Sequence, residues 1–228
     1  MLAVIQARLS SKRLPGKVLM MLGAKNILEH TINRIERSKK TSSVVVATSN
    51  RTTDDPIAQN AREIGTEVYR GDLNDVGKRL LGATQTSGSE SFVRVSADSP
   101  FIDWRIIDQA ISIYEVSNAD LVTNIFPRTF PMGQSVEIIN TQSLEKICKL
   151  ERSTEQMEHV TPYFYENYRN FNIVSFTSGH NQSDSIHCID NSIDFEIASG
   201  VIREIQDHDL SWQKLETLFL KHRKSFER

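Results

Sequence analysis

Short apolar runs alternate with stretches of helical periodicity along the first half of the chain, and this alternation constrains the fold more than any other feature. Four runs have the length and composition of buried strands, at residues 2–5, 44–47, 92–95 and, more weakly, 120–122. Apolar residues recur at helical spacing over 27–35 and 106–113. This order predicts an α/β fold, with a mostly parallel mixed sheet and helices on both faces.

After about residue 126 the alternation loosens. A loop at 127–133 with two prolines and a glycine opens this half of the chain. The expected elements are, in order, a strand at 136–139, helices at 141–150 and 155–165, strands at 173–176 and 186–189, and helices at 193–206 and 212–224. No repeat or linker is evident, so we predict one domain over residues 1–228 with a smaller inserted lobe at about 127–180.

The charge balance and the hydropathy pattern exclude several partners. The formal net charge is −2 and there is no sustained basic stripe, so we expect no nucleic-acid partner. No apolar run approaches the roughly 18 residues that cross a bilayer, which predicts no membrane partner and a cytoplasmic location. Cys148 and Cys188 lie among apolar neighbours, and we expect them to be buried and reduced.

A dense basic loop follows the first strand directly. Arg8, Lys12, Arg13 and Lys17 place four cations within ten positions, and a Pro-Gly pair provides a turn. Ligands of open α/β sheets bind at the carboxyl ends of strands, and these side chains suit a polyphosphate. The spacing matches neither a P-loop nor G-x-G-x-x-G. Composition alone would favour a solvated basic loop.

Two aspartates follow apolar runs, Asp98 after 92–95 and Asp190 after 186–189. If these strand ends lie side by side, the two carboxylates converge on one pocket. That arrangement suits Mg²⁺, which proteins typically hold with one or two carboxylates plus substrate phosphates. Each aspartate could instead cap the next helix or form a turn.

The residue order of the basic loop resembles the N-terminal signature of sugar-activating cytidylyltransferases. In that family a strand leads into an A-R-x-x-S-x-R-L-P-G-K pattern, which residues 7–17 match. Further stretches resemble the family at 47–58, 69–79, 93–103, 158–163 and 188–196. The family includes enzymes that make CMP-Kdo and CMP-sialic acid, and the chain is most similar to its SpsF-like, spore-coat polysaccharide branch. The resemblance covers nearly the whole chain.

This resemblance implies a Rossmann-like nucleotidyltransferase fold, the GT-A-like fold shared with many glycosyltransferases. The implied reaction is CTP-dependent: a hydroxyl of an acidic or modified sugar attacks the α-phosphorus, and pyrophosphate leaves. The product would serve surface polysaccharide or glycan biosynthesis. In phosphoryl transfer of this kind the protein mainly positions groups and stabilises charge.

The resemblance also implies roles for individual residues. Asp98 and Asp190 would hold Mg²⁺ and, with Arg8 and Lys17, form the catalytic set. The acceptor sugar would be bound by Ser135, Glu137 and His159. The residues implied for nucleotide binding are Ala7, Arg8, Ser11, Arg13, Lys17, Arg79 and Asp98.

Two positions depart from the family pattern. Ala97 stands where glycine commonly precedes the metal-binding aspartate, a change that is tolerable unless the backbone there needs a positive φ. Ser135 stands where aspartate is usual in an R-T-x-P-x-G-x-D-V-E stretch matched by 128–137. The second departure predicts either a different acceptor or reduced activity.

Two other functions remain open at this point. A glycosyltransferase of related fold would usually carry a D-x-D motif, and none is evident. A nucleotide- or sugar-binding protein that has lost catalysis is supported only by Ala97 and Ser135.

In related enzymes the smaller lobe forms a two-fold interface, so we expect a homodimer through 135–168. The aromatic residues of that stretch belong either to the interface or to the core: Tyr163, Phe164, Tyr165 and Tyr168.

Overall fold

A computed structural model of the chain describes residues 1–205 and 209–226. The strands in these ranges are β1 (Leu2–Gln6), β2 (Met21–Leu22), β3 (Lys25–Asn26), β4 (Ser43–Ser49), β5 (Glu67–Gly71), β6 (Ser91–Ser96), β7 (Leu121–Thr123), β8 (Glu137–Asn140) and β9 (Ile173–Ser175). The helices are α1 (Ile27–Ile35), α2 (Asp55–Glu63), α3 (Val76–Thr86), α4 (Trp104–Glu115), α5 (Thr141–Cys148), α6 (Thr154–His159), α7 (Pro162–Glu166), α8 (Ser192–Glu204) and α9 (Trp212–Phe226).

Seven of these strands form one twisted sheet in the order β5-β4-β1-β6-β8-β7-β9. The strands β5, β4, β1 and β6 are parallel neighbours, and β9 is parallel to β7. Only β8 runs antiparallel, and it pairs with both β6 and β7. The prediction of a mostly parallel mixed sheet is confirmed. The strands β8 and β9 come from the stretch predicted as a smaller lobe, whose boundaries stay a prediction.

Alternate residues of β1 show how the two faces of the sheet are covered. Ala3 and Ile5 belong to a buried cluster with side chains of α1, α2 and α4, whereas Leu2 and Val4 pack with α3 and α5. Successive side chains of a strand point to opposite faces. Ile5 is fully buried, and burial of such a side chain contributes about 1.5–3 kcal/mol. Helices therefore cover both faces, as predicted.

The helices α8 and α9 build a third buried cluster beside this sheet, together with Leu22, Ile27 and Ile189. Phe219 of α9 packs edge-on against Phe101, with ring centroids 5.0 Å apart. This cluster supports the segment that leads into α8. The predicted end of this helix at Gln206 lies outside the described residues, and α8 ends at Glu204. No described helix is both long enough and apolar enough to span a membrane.

The predicted helix at 155–165 is wrong as one element, because it is two short helices, α6 and α7. The break falls at Val160, which has a φ of 67°. Pro162 begins α7 and has no backbone N–H, and its ring would clash with the carbonyl four residues earlier in a continuous helix. A run of apolar and aromatic side chains at helical spacing concealed this interruption.

The predicted strand at 186–189 is also wrong, because its hydrogen bonds go to separate segments. Only an isolated parallel bridge joins Ile186 to Met132. The amide of His187 donates to the carbonyl of Met132 at 2.7 Å, and the amide of Ile189 donates to that of Asp98 at 3.0 Å. The segment is therefore largely buried, but it bends at Cys188 and pairs with no neighbouring strand.

The aromatic residues of 135–168 give little support to the expected dimer. Phe164 is fully buried, and Tyr163 and Tyr165 pack against the same cluster. Only Tyr168 of the four is mostly exposed, at 51%. The homodimer stays a prediction.

Candidate active site

A cavity of about 650 Å³ opens at the carboxyl ends of β1 and β6. Every residue that the sequence assigned to a site contributes to its wall, although these residues are spread over most of the chain. They are Ala7, Arg8, Ser11, Arg13, Lys17, Arg79, Asp98, Ser135, Glu137, His159 and Asp190. The structure thus brings the whole predicted set together, while the individual roles stay predictions.

Local hydrogen bonds fold the basic loop back over the end of β1. Gly16 adopts a φ of 73°, which glycine reaches without steric cost, and its amide donates to the carbonyl of Leu9 at 3.0 Å. Asp54, fully buried, accepts from the amide of Leu9 at 2.8 Å and from the hydroxyl of Ser49. Asp54 therefore fixes the start of the loop at Leu9, and Lys17 at its end lines the cavity.

Lys17 bridges the two aspartates. Its Nζ donates to Asp98 Oδ2 at 2.6 Å and to Asp190 Oδ1 at 2.8 Å, and only 9% of its side chain is exposed. Arg13 approaches the other oxygen of Asp190 at 3.0 Å. Burial is the largest influence on the pKa of Lys17 and lowers it, but the two carboxylates together outweigh burial, so the pKa is raised. Lys17 is therefore a fixed positive charge at neutral pH.

The helix-cap alternative for the two aspartates is excluded. Asp103 is the N-cap of α4, and Asn191 is the N-cap of α8, where it forms a capping box with Asp194. Asp190 directly precedes Asn191, and Asp98 lies in a turn five residues before Asp103, and the carboxylates of both contact Lys17. Each aspartate is thus free of a capping role and faces the cavity.

The carboxylates fit a divalent cation only in combination with a substrate. Both reach the same atom, Lys17 Nζ, so their oxygens converge on one point. Among residues 1–205 and 209–226, no group of three or more histidine, cysteine or acidic side chains is arranged to hold a metal. Two carboxylates that need further oxygens from a phosphate are the ligand set typical of Mg²⁺.

Two arginines line the cavity near the basic loop. Arg8 forms an ion pair with Glu158 of α6 at 2.6 Å, and this hydrogen bond lowers the pKa of Glu158. Arg79 is 2% exposed and donates to the carbonyls of Asp72 and Leu73. Burial, followed by the repulsion of Arg8, lowers the pKa of Arg79 to about 10. It remains charged at neutral pH, so this wall of the cavity is cationic.

Glu137 is held in a network that sequence reasoning missed. Arg94 of β6 pairs with one oxygen of Glu137, and the hydroxyl of Tyr165 donates to the other at 2.5 Å. Burial and the adjacent carboxylate raise the pKa of Tyr165, which keeps it protonated as a donor. The available signal was Arg94 itself, a charge inside an apolar strand that requires a partner.

Arg128 is a second residue that sequence reasoning did not assign to the site. It lines the cavity, donates to Ser135 Oγ at 3.0 Å and, within the described residues, forms no ion pair. Burial lowers its pKa. Glu137 attracts Arg128 but is already paired with Arg94, so the positive charge of Arg128 is available to a ligand.

The Ala97 departure has no conformational consequence. Val160 is the only non-glycine residue with a positive φ in the described part of the chain, so Ala97 needs no glycine-like backbone. Its amide donates to the carbonyl of Gln6, and its own carbonyl accepts from the Thr31 hydroxyl at 3.1 Å. The backbone that leads into Asp98 therefore needs no glycine.

The two cysteines, Cys148 and Cys188, are buried and free, as predicted.

A buried network supports the cavity from behind. The Gln134 amide nitrogen donates to the Phe101 carbonyl and lies 3.2 Å from Nδ1 of His187. Nε2 of His187 is 2.7 Å from a carboxylate oxygen of Glu216 on α9. These partners assign the proton to Nε2, so the imidazole is neutral. The network joins α9 to the segments that carry Ser135 and Asp190.

His187 should make the protein less stable as the pH falls below 6.5, which is the ordinary pKa of a histidine side chain. Burial lowers its folded pKa and outweighs the attraction of Glu216. The unfolded chain therefore binds a proton that the folded protein refuses, which removes up to about 1.4 kcal/mol per pH unit until the folded pKa is reached. Urea unfolding of wild type and His187→Gln between about pH 7.5 and about pH 5.5 measures this. A difference between the two proteins that stays constant with pH would contradict it.

The basic loop after β1, Asp98 after β6 and Asp190 just before α8 meet at the edge where α/β sheets bind ligands, an arrangement typical of enzymes that act on nucleotides. The chain belongs to the cytidylyltransferase family, whose model matches residues 2–222, and it is therefore a nucleotidyltransferase.

Individual relatives agree with this assignment. A cytidylyltransferase from Leptospira borgpetersenii serovar Hardjo-bovis has a similar structure, with a TM-score of 0.92 and 31% identity over 98% of this chain and 95% of that one. The spore coat polysaccharide biosynthesis protein SpsF of Bacillus subtilis is 31% identical over 71% of this chain and 68% of its own length. A 3-deoxy-manno-octulosonate cytidylyltransferase of Geobacter sulfurreducens is 38% identical over 48% of this chain and 43% of its own length.

Proposed function

We propose that this enzyme transfers CMP from CTP to a hydroxyl of an acidic sugar and releases pyrophosphate, with Mg²⁺ as its cofactor, in surface polysaccharide or glycan biosynthesis. The names of the relatives from Bacillus subtilis and Geobacter sulfurreducens support the reaction and its pathway. The observation that carries the proposal is the layout of the cavity. Cations and two carboxylates line it, and so does Arg128, a guanidinium without an ion pair among the described residues.

The basic loop would bind the triphosphate. Arg8, Arg13 and Lys17 present forked and point charges that suit the β- and γ-phosphates and stabilise the leaving pyrophosphate. Asp98 and Asp190 would hold Mg²⁺, which polarises the α-phosphate when it is bound. These residues position the reacting groups and offset charge, which is most of what this chemistry requires of a protein.

Arg128 and its neighbours would bind the acceptor. The Arg94–Glu137 pair is internally neutral, so it offers hydrogen bonds without net charge. Arg128 and Ser135 together carry one positive charge, which favours an anionic substituent such as a carboxylate. His159 lines the same cavity and is a further candidate for contact with sugar hydroxyls.

CTP with Mg²⁺ should stabilise the folded protein. A ligand at about 100 times its Kd adds roughly 2.7 kcal/mol to the free energy of unfolding, because it binds only the native state. Thermal unfolding with CTP, UTP, ATP and GTP in turn measures the effect, and CTP should give the largest shift. Equal shifts with all four would refute the assignment of cytosine.

Pyrophosphate release with CTP and a panel of acidic and neutral sugars tests the reaction itself. The proposal requires turnover that depends on an acidic sugar. Binding of CTP with no turnover on any sugar would support a protein that has lost catalysis. Transfer of a sugar from a nucleotide-sugar would instead support a glycosyltransferase.

A further inference from the structure

Lys17 contacts both of the aspartates that would hold a divalent cation. Its Nζ is 2.6 Å from an oxygen of Asp98 and 2.8 Å from an oxygen of Asp190. The lysine side chain is 9% exposed, whereas the two carboxylates are 22% and 31% exposed toward the cavity. A metal ion held by these oxygens would lie beside the ammonium group, so the two cations compete for the same carboxylates.

The charges of this cluster already balance. Asp98 and Asp190 contribute two negative charges, and Lys17 and Arg13 contribute two positive charges. A divalent cation that entered alone would lie beside the ammonium group of Lys17 in a partly buried site, where repulsion is weakly screened. A triphosphate that entered with the metal would supply the missing negative charge.

Lys17 shares the cavity wall with other side chains that suit a phosphate. Its flexible stem carries three rotatable donors, and its loop places Arg8 and Ser11 on the wall of the same cavity. A phosphate group bound beside these residues would accept from Nζ in place of the carboxylates. In this exchange the side chain of Lys17 would rotate while Asp54 holds the backbone of the loop at Leu9.

We propose that Lys17 occupies the cation position in the nucleotide-free protein and releases it when a triphosphate binds. Divalent metal and nucleotide then bind synergistically, each raising the affinity for the other by the same factor. This inference rests on the proposed function only where it identifies the phosphate as that of a nucleotide. The competition between Lys17 and the metal is independent of it.

Binding of Mn²⁺ to the nucleotide-free protein, measured by electron paramagnetic resonance, tests the competition. Lys17→Met should bind Mn²⁺ at least about tenfold more tightly than wild type, a coupling of ordinary size. Lys12→Met is the matched control, because it removes the same charge from the same loop. Lys12 also lines the cavity but forms no ion pair with any described residue. It should stay within about twofold of wild type, since exposed charges are screened.

A second substitution tests whether the tighter Mn²⁺ binding of Lys17→Met depends on Asp98. Asp98→Asn in the Lys17→Met background should abolish the tighter Mn²⁺ binding. Mn²⁺ should also raise the melting temperature of Lys17→Met more than that of wild type, because it replaces the lost positive charge. Lys17→Gln, which keeps a hydrogen-bond donor, gives the same comparison if the methionine variant does not fold.

Equal Mn²⁺ affinity in wild type, Lys17→Met and Lys17→Gln would overturn the inference. An equal gain in Lys12→Met would overturn it as well, since it would show a general charge effect. Failure of the proposed function has a different signature, because wild type would then show no stabilisation by CTP with Mg²⁺ while the Mn²⁺ comparison would still give its result.

Discussion

Asp98→Asn should fold normally and lower turnover by about 10²–10³, the usual effect of removing an essential electrostatic group. The substitution keeps the size of the side chain but, of the two aspartates, leaves only Asp190 as a carboxylate in contact with Lys17. One neutral amide and one carboxylate are a poor ligand pair for Mg²⁺, which prefers charged oxygens. Pyrophosphate release at saturating CTP and Mg²⁺ measures the loss, and Asp190→Asn should behave in the same way.

Glu158→Gln is the matched control for these two variants. It also removes a carboxylate from the cavity wall, but Glu158 pairs with Arg8 and does not contact Lys17. Its side chain is 41% exposed, so the loss should stay below about tenfold. Retention of more than about half of wild-type turnover by Asp98→Asn would contradict its catalytic role, as would equal losses in all three variants.

Ser135→Asp should raise the KM for an acidic acceptor by about tenfold or more, which corresponds to about 1.4 kcal/mol of lost binding. The new carboxylate would lie within reach of Arg128, which now donates to Ser135 at 3.0 Å. An Arg–Asp pair would cancel the positive charge of Arg128, which we propose binds the acidic group of the acceptor. Affinity for CTP should change by less than about threefold, because the basic loop and the aspartates are untouched.

Ser135→Asn separates charge from size. Asparagine has nearly the volume of aspartate but is neutral, so it should change the acceptor KM much less and keep the preference for acidic sugars. Steady-state kinetics with acidic and neutral sugars at saturating CTP makes the comparison. A gain of turnover in Ser135→Asp over an inactive wild type would indicate a decayed enzyme. Unchanged kinetics with every acceptor would place Ser135 outside the sugar site.

Local sequence was sufficient to predict the central sheet and the groups at its edge. The runs at 2–5, 44–47 and 92–95 are apolar because parallel central strands are buried on both faces, and each became a strand at that place. Asp98 and the basic loop follow such strands directly. Parallel strands end at one edge, so proximity of these groups follows from their positions in the chain.

Predictions from the apolar pattern were wrong where hydrogen bonding or backbone geometry decided the local structure. The segment 186–189 has strand-like composition, but its amides find partners on Met132 and Asp98 rather than on an adjacent strand. The helix at 155–165 is interrupted because Pro162 lacks the N–H that a continuous helix requires. The strand β5 was not predicted because its residues are only partly buried.

The sequence by itself determined the fold class, the basic loop and the two aspartates, because each is encoded by residues close together in the chain. Only the tertiary structure decided which charges meet. Lys17 contacts Asp98 and Asp190 across separations of 81 and 173 residues, and Arg94 meets Glu137 across 43. Ion pairs of this kind depend on how strands and loops pack in space, and a periodic pattern carries no information about that. For the same reason, only the folded structure showed that Arg128 donates to the neutral Ser135 and forms no ion pair among the described residues.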